Sequence, residues 1–216
     1  YNLDILDGSP PCSSFSMAGN REKDWGKNKK FKEGQAEQVL DTLFFDFIDL
    51  AKELQPKIVI AENVKGLLQG NAKKYVIEIY KQFDKAGYYC QHFLLDASKM
   101  GVPQRRERVF FICLRKDLAK PFLYQKDIFT KVPKLKLKFN EKQILFSDVF
   151  DEDEEVMDIS DNKLSLWKKR IYGDVDMSTI NLREYNKLSM FNSKFIYLHK
   201  VPNTITANDS CVLFDK

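Results

Sequence analysis

The chain has few cysteines, four in all and widely scattered. Cys12, Cys90, Cys113 and Cys211 include no Cys-x-x-Cys pair. Zinc and a disulfide framework are therefore unsupported, and a reduced, cytoplasmic chain fits best. No apolar run approaches the roughly 18 residues that span a bilayer, and no secretory signal is visible. Histidine is scarce: His92 and His199 are the two present. A cysteine hydrolase would want one of them as its base, and His92 lies mid-strand. Net charge is only +4, which permits a polyanionic partner without demanding one. Repeats and low-complexity tracts are absent.

What is present is ample for folding. The 216 residues are 44% hydrophobic and include 17 Phe. That suffices for one good core, or for one domain and part of another. The chain opens directly on a strand-like segment and stops at Val212-Leu213-Phe214, again strand-like. Both ends suggest a piece of a longer protein.

In order, residues 3–6 read as a short buried parallel strand, followed by Asp7-Gly8-Ser9-Pro10-Pro11-Cys12. Two prolines stiffen the loop ahead of the thiol. Gly19 to Gly34 is charged, with Lys27, Lys29, Lys30 and Lys32, and reads as a long loop able to close over a polyanion. From Gln35 to Leu54 the apolar residues recur at helical spacing, and Pro56 ends the run. Lys57 to Ala61 is a second buried strand with Glu62-Asn63-Val64 at its carboxyl end. Asn71 can cap a second helix whose inner face is Val76, Ile79, Tyr80, Phe83 and Ala86, with Gly87 as its stop. Tyr88–Leu95 and Val109–Leu114 complete four strands. Strands alternating with helices imply an α/β fold with a parallel or mixed sheet, whose chemistry gathers at strand carboxyl ends. Cys12 and Glu62 both sit at such ends.

Beyond Lys116 the composition shifts. Lysines are frequent over 117–142, and Asp151 to Glu155 is acidic. The alternation from Lys134 to Phe139 suggests an edge strand. From about 160 aromatics mix with basic residues without a period, suggesting an irregular β-rich unit. The expected domains are 1–158 and 159–216.

Three stretches carry chemistry: Pro11-Cys12, Glu62-Asn63-Val64, and Gln104-Arg105-Arg106-Glu107-Arg108. On an extended segment Arg106 and Arg108 share a face. A thiolate at Cys12 could attack, since only the thiolate is nucleophilic. Glu62, beside an apolar core, could keep a proton because desolvation disfavours the ion.

In order, spacing and placement these stretches resemble the cytosine-C5 DNA methyltransferases of bacterial and phage type. Thr42 to Phe47 looks like the family's helix after the catalytic loop, and Pro202 to Ala207 like a Thr-rich segment of its target-recognition domain. The resemblance covers residues 1 to about 120 well and implies a central fragment. It implies a Rossmann-like S-adenosylmethionine-dependent methyltransferase sheet, incomplete for want of N-terminal strands, plus part of a small irregular β-rich target-recognition domain. It also implies methyl transfer from S-adenosylmethionine to C5 of a flipped-out cytosine in double-stranded DNA, through a Cys12–C6 adduct, in a restriction-modification setting. Cys12, Glu62, Arg106 and Arg108 would be catalytic, with Arg108 at the base and Arg106 near Cys12. Asn63, Gln104 and Ser16 would support them. Pro11 and Leu43 would lie near the donor, and Thr204, Lys29 and Lys30 would contact DNA. The donor-binding Phe-x-Gly-x-Gly signature and the late Asn-containing segment are not in this sequence. The expected protein is a monomer with no metal and no membrane. Two alternatives remain: a tRNA cytosine-C5 methyltransferase of the same fold, and a truncated, inactive DNA-binding remnant.

Overall fold

Two strands rich in β-branched and aromatic residues form the middle of the fold. The computed structural model describes residues 2–11, 43–70, 72–124, 133–139, 141–151, 160–190, 192–205 and 211–215. Packing divides them into two units, one within 1–95 and 107–138, the other within 96–106 and 139–216.

In the first unit β1 (Ile5–Gly8), β2 (Ile58–Val64), β3 (Tyr88–Asp96) and β4 (Glu107–Arg115) form one sheet in the order β1-β2-β4-β3. β1 runs parallel to β2, and β4 antiparallel to it. The sheet is therefore mixed. Along β2 and β4 every second residue is buried, including Val59, Ala61, Val109, Phe111 and Cys113. These meet the apolar stripes of two helices, α1 (Leu43–Leu54) and α2 (Ala72–Lys85), at Phe44, Ile48, Ala51, Val76, Ile79 and Phe83. The Phe44 and Phe111 rings pack edge to face, 5.5 Å between centroids. Fully burying each such side chain contributes about 1.5–3 kcal/mol.

Most element positions follow the sequence reading. α2 buries Val76, Ile79, Phe83 and the following Ala86, and ends where Gly87 takes φ +92°. A side chain is rarely tolerated there, which is why glycine stops the helix. β1 differs: it starts two residues late, and Ile5 is 51% exposed, so the strand is not buried. Among the described residues β2 is its one neighbour in the sheet. β2 runs on through Glu62-Asn63-Val64 instead of ending before it. The expected edge strand at 134–139 reduces to one bridge, Tyr124 with Lys134. The next residue, Leu135, spends its backbone groups on the Gln91 side chain, so the ladder stops. The part of the first helix before Leu43, the cap at Asn71 and the charged stretch 19–34 lie outside the described residues.

A single helical turn, α3 (Lys116–Ala119), follows β4. The second unit holds α4 (Asp161–Trp167), α5 (Met177–Tyr185), β5 (Ser193–Tyr197) and β6 (Cys211–Asp215), the last two paired in parallel. The β-rich expectation after 160 accounts for β5 and β6 and omits the two helices. Leu166, Met177, Ile180 and Phe195 form this unit's core, and buried Asp174 is held by Arg183 at 2.9 Å. Asp176 caps α5 by accepting from the Thr179 amide. Among the described residues no helix is long and apolar enough to cross a membrane, and no group of three His, Cys, Asp or Glu could hold a metal.

Candidate active site

Strand alternation sends neighbouring motif residues to opposite faces of β2. Asn63 falls on the helix-covered face with Val59 and Ala61, and is 4% exposed. Glu62 falls on the other face. In the antiparallel register Glu62 stands opposite Phe110, and Val64 opposite Arg108. Arg108 is thus the diagonal neighbour of Glu62 on the same face, within reach of a long side chain. The two form an ion pair, Arg108 Nε to Glu62 Oε1, at 2.8 Å. Arg108 also donates from Nη1 to the Glu107 carbonyl at 2.9 Å, which fixes the guanidinium plane. The Glu62 side chain is 28% exposed, and its carboxyl group is held in place by the arginine beside it. Glu107, one residue away, points elsewhere and pairs with Lys65 at 2.6 Å.

Asn63 does the complementary work on the buried face. Its Nδ2 donates to the Pro10 carbonyl at 3.0 Å, and its Oδ1 accepts from the Val64 amide at 2.9 Å. The parallel register ends at Gly8 opposite Ala61. Continued two residues, it brings Pro10 beside Asn63. Proline has no N–H to offer the ladder, so the side-chain amide makes the link. The loop that leads into Cys12 is tied to β2 at that point. Gly8 makes this approach feasible: a Cβ there would lie 2.6 Å from Phe47 Cε2 on α1.

Glu62, Arg108, Asn63 and Pro10 are therefore brought together at one end of β2. Pro11, exposed, follows Pro10, and half-buried Leu43 opens α1. Gln104 is half-buried, and its backbone amide donates to the Val102 carbonyl at 2.7 Å. Arg106 belongs to the second unit, ahead of the start of β4. The alternation that would align it with Arg108 does not extend back across Glu107. Its amide donates to Asp96 Oδ1 at 3.3 Å, and its carbonyl accepts from the Ala97 amide at 3.1 Å. Thr204 donates its hydroxyl to the Arg105 carbonyl at 2.6 Å. Cys12, Ser16, Lys29 and Lys30 lie outside the described residues.

Two contributors escaped the sequence reading. Pro10 was read only as a stiffener, and Asp96 not at all. Asp96-Ala97-Ser98 carries a usable signal, since an Asp side chain accepts from the amide two residues on. It does so here, from Ser98 at 3.1 Å. His92 bonds through Nδ1 to the Tyr80 hydroxyl and packs against the Phe111 ring. Burial lowers its pKa and raises that of Tyr80 to about 12.

The family model described as C-5 cytosine-specific DNA methylase matches residues 1–209. The chain belongs to this family. The chain is 42% identical over 115 residues to the type II methyltransferase M.FnuDI of Fusobacterium nucleatum, covering 53% of the chain and 30% of that protein. Against the orphan methyltransferase M.SPRI of Bacillus phage SPR it is 38% identical over 118 residues, covering 55% and 24%. M.Eco47II of Escherichia coli is 34% identical over 149 residues, covering 68% and 33%. The alignments thus span about a quarter to a third of these relatives' own lengths. Among solved structures, a DNA modification methyltransferase encoded within an E. coli prophage superposes with TM-score 0.54 at 18% identity, covering 94% of this chain and 62% of that one. A mutant of DNMT2 from Spodoptera frugiperda gives 0.50 at 20% identity, covering 93% and 49%. These two likenesses speak to the fold: an α/β methyltransferase fragment with a partial sheet.

Proposed function

We propose that the chain carries the base-modifying half of a DNA (cytosine-5-)-methyltransferase of restriction-modification type. The observation that carries the reading is the end of β2, where the Glu62–Arg108 pair lies one residue from the Asn63 amide that holds the Cys12 loop. Each piece then has a task. Cys12 Sγ, as thiolate, bonds to C6 of cytosine. The C5=C6 π electrons move onto C5 and through C4 toward N3, which takes a proton from the Glu62 carboxyl, leaving an enamine whose C5 is nucleophilic. C5 gains the methyl group, its hydrogen leaves as a proton to solvent, N3 returns its proton to Glu62, and the C6–S bond breaks to give back the thiolate. Arg108 keeps the Glu62 carboxyl aimed and can donate to the base carbonyl O2. Asn63 keeps the loop in register. A base inside a duplex cannot reach such a site, so it is flipped out.

S-adenosylmethionine would supply the electrophilic methyl group. Pro11, three residues beyond β1, and Leu43, the first residue of α1, are the apolar residues that would lie beside it. The described residues show no polar cradle for the rest of the donor, and no step is assigned to it. The curated relatives above, named type II and orphan methyltransferases, support DNA over tRNA as substrate.

A donor-independent assay tests this reading. Thiolate addition followed by protonation at C5 releases tritium from [5-³H]cytosine in DNA and requires no methyl donor. Release that disappears in Cys12→Ala supports the proposal. Trapping on 5-fluorocytosine duplex or tRNA, with S-adenosylmethionine present, separates the substrates. An adduct with tRNA alone hands the case to the RNA branch. Binding to DNA with neither release nor adduct identifies an inactive remnant.

A further inference from the structure

We propose that Cys90 and Cys113 are a redox-responsive dithiol, which a hydroperoxide closes into a disulfide joining β3 to β4.

The strand register places the two thiols together. Gly87 precedes β3 and Lys116 follows β4, and the Lys116 amide donates to the Gly87 carbonyl at 2.9 Å. The two neighbouring strands therefore run antiparallel. Counting inward from that bond sets Cys90 opposite Cys113 and His92 opposite Phe111. The His92 and Phe111 rings, 5.9 Å apart between centroids, agree with the count. Three steps from a hydrogen-bonded position is a non-hydrogen-bonded one, where facing Cα atoms lie about 4.5 Å apart. That separation is within the range a disulfide spans. The Cys90 and Cys113 thiols are already hydrogen-bond partners. Cys113 belongs to the core under the helices, and Cys90 packs against that core. Alternation along β4 turns Arg108 to the other face, so the pair stands apart from Glu62 and Arg108.

The two thiols are not equivalent. Cys113 is fully buried, and burial together with the Cys90 hydrogen bond pushes its pKa up. Cys90 is half-buried and lines a cavity of about 610 Å³ with Tyr80, Tyr89, Lys116 and Lys120. Lys116 also pairs with Asp84 at 2.7 Å. The cavity admits a small peroxide, and cations around a thiol favour its thiolate. Cys90 is thus the sulfur that is oxidised first. Its Sγ bonds to the distal peroxide oxygen, the O–O bond breaks, and the alcohol or water leaves with the thiol proton, giving a sulfenic acid. Cys113 Sγ then attacks Cys90 Sγ. The S–S bond forms, the S–O bond breaks, and water leaves with the Cys113 proton. Two thiols lose two electrons, and the O–O bond gains them. In a chain kept reduced, such a bond is transient and serves as a redox sensor.

The test treats the reduced, folded chain with one equivalent of hydrogen peroxide, caps the remaining thiols with iodoacetamide and digests with trypsin in the absence of reductant. Fragments 86–99 and 109–115, which hold Cys90 and Cys113, should emerge joined, about 2 Da lighter than their sum. Dithiothreitol should separate them. This linkage should exceed any other by at least roughly tenfold, since the two sulfurs are already held together. In Cys113→Ala the sulfenic acid should persist on Cys90, where dimedone captures it. In Cys90→Ala the buried Cys113 should stay reduced. Absence of the joined pair, a dominant linkage to Cys12 or Cys211 in its place, or linkage only after unfolding in urea overturns the proposal. Should either variant fail to fold, fragment mapping of the parent chain decides alone.

Discussion

Replacing Asn63 with aspartate exchanges one NH₂ for an oxygen and alters almost nothing else in shape. The Val64 amide keeps its acceptor. The Pro10 carbonyl, now 3.0 Å from a donor, would face a carboxylate oxygen instead. Leaving the buried Pro10 carbonyl without its donor, and facing a carboxylate oxygen in its place, costs about 2 kcal/mol or more. That weighs against the docked state of the Pro10 loop. With each 1.4 kcal/mol worth a factor of ten, Asn63→Asp at pH 7 should reduce tritium release by at least roughly 30-fold. Urea denaturation should show a destabilisation of about 2 kcal/mol or more. The introduced carboxyl also supplies its own control. Burial and the facing carbonyl raise its folded pKa above the unfolded value near 3.9. The folded variant then binds more protons than the unfolded one, so its stability deficit shrinks as pH falls from 7 toward 5, when a protonated carboxyl can again donate to Pro10. If Asn63→Asp matches the parent within about 0.5 kcal/mol at pH 7, or its deficit is the same at pH 5, the Asn63–Pro10 bond does not hold the loop.

Three further outcomes follow from the same contacts. A double-mutant cycle of Glu62→Gln and Arg108→Ala, read by urea denaturation, should give a coupling of only about 0.5–1 kcal/mol, because both side chains are about a quarter exposed. In tritium release the double variant should lose little more than either single one, since the two act as a unit. Tyr88→Phe should cost about 1–2 kcal/mol in denaturation, because the Tyr88 hydroxyl donates to the Pro56 carbonyl at 2.8 Å from a site 1% exposed. His92, its pKa lowered by burial, takes up its proton in the fold at a lower pH than in the unfolded chain, where it does so near pH 6.5. Stability should be full above that pH and decline below it, and His92→Phe should flatten that part of the profile.

The sequence by itself settled what depends on near neighbours. The stripe of Val76, Ile79 and Phe83, its glycine stop at Gly87, and the identity and order of the motif residues all follow from spacing and side-chain chemistry. What it left open depends on register between distant strands. Nothing local tells Glu62 that Arg108 is its diagonal partner, since that follows from the antiparallel pairing of β2 with β4. Nothing local tells Asn63 that Pro10, 53 positions earlier, lacks the donor it must replace. The failed strand at 134–139 has the same cause in reverse: its alternation was right for a strand, but the Gln91 side chain took the backbone groups of Leu135. Tertiary structure also divided Arg106 from Arg108, two residues apart in sequence, between two units of packing. A short extended segment carries no information about which core each of its ends will join. That is decided by which buried faces fit, and only the folded chain brings those faces together.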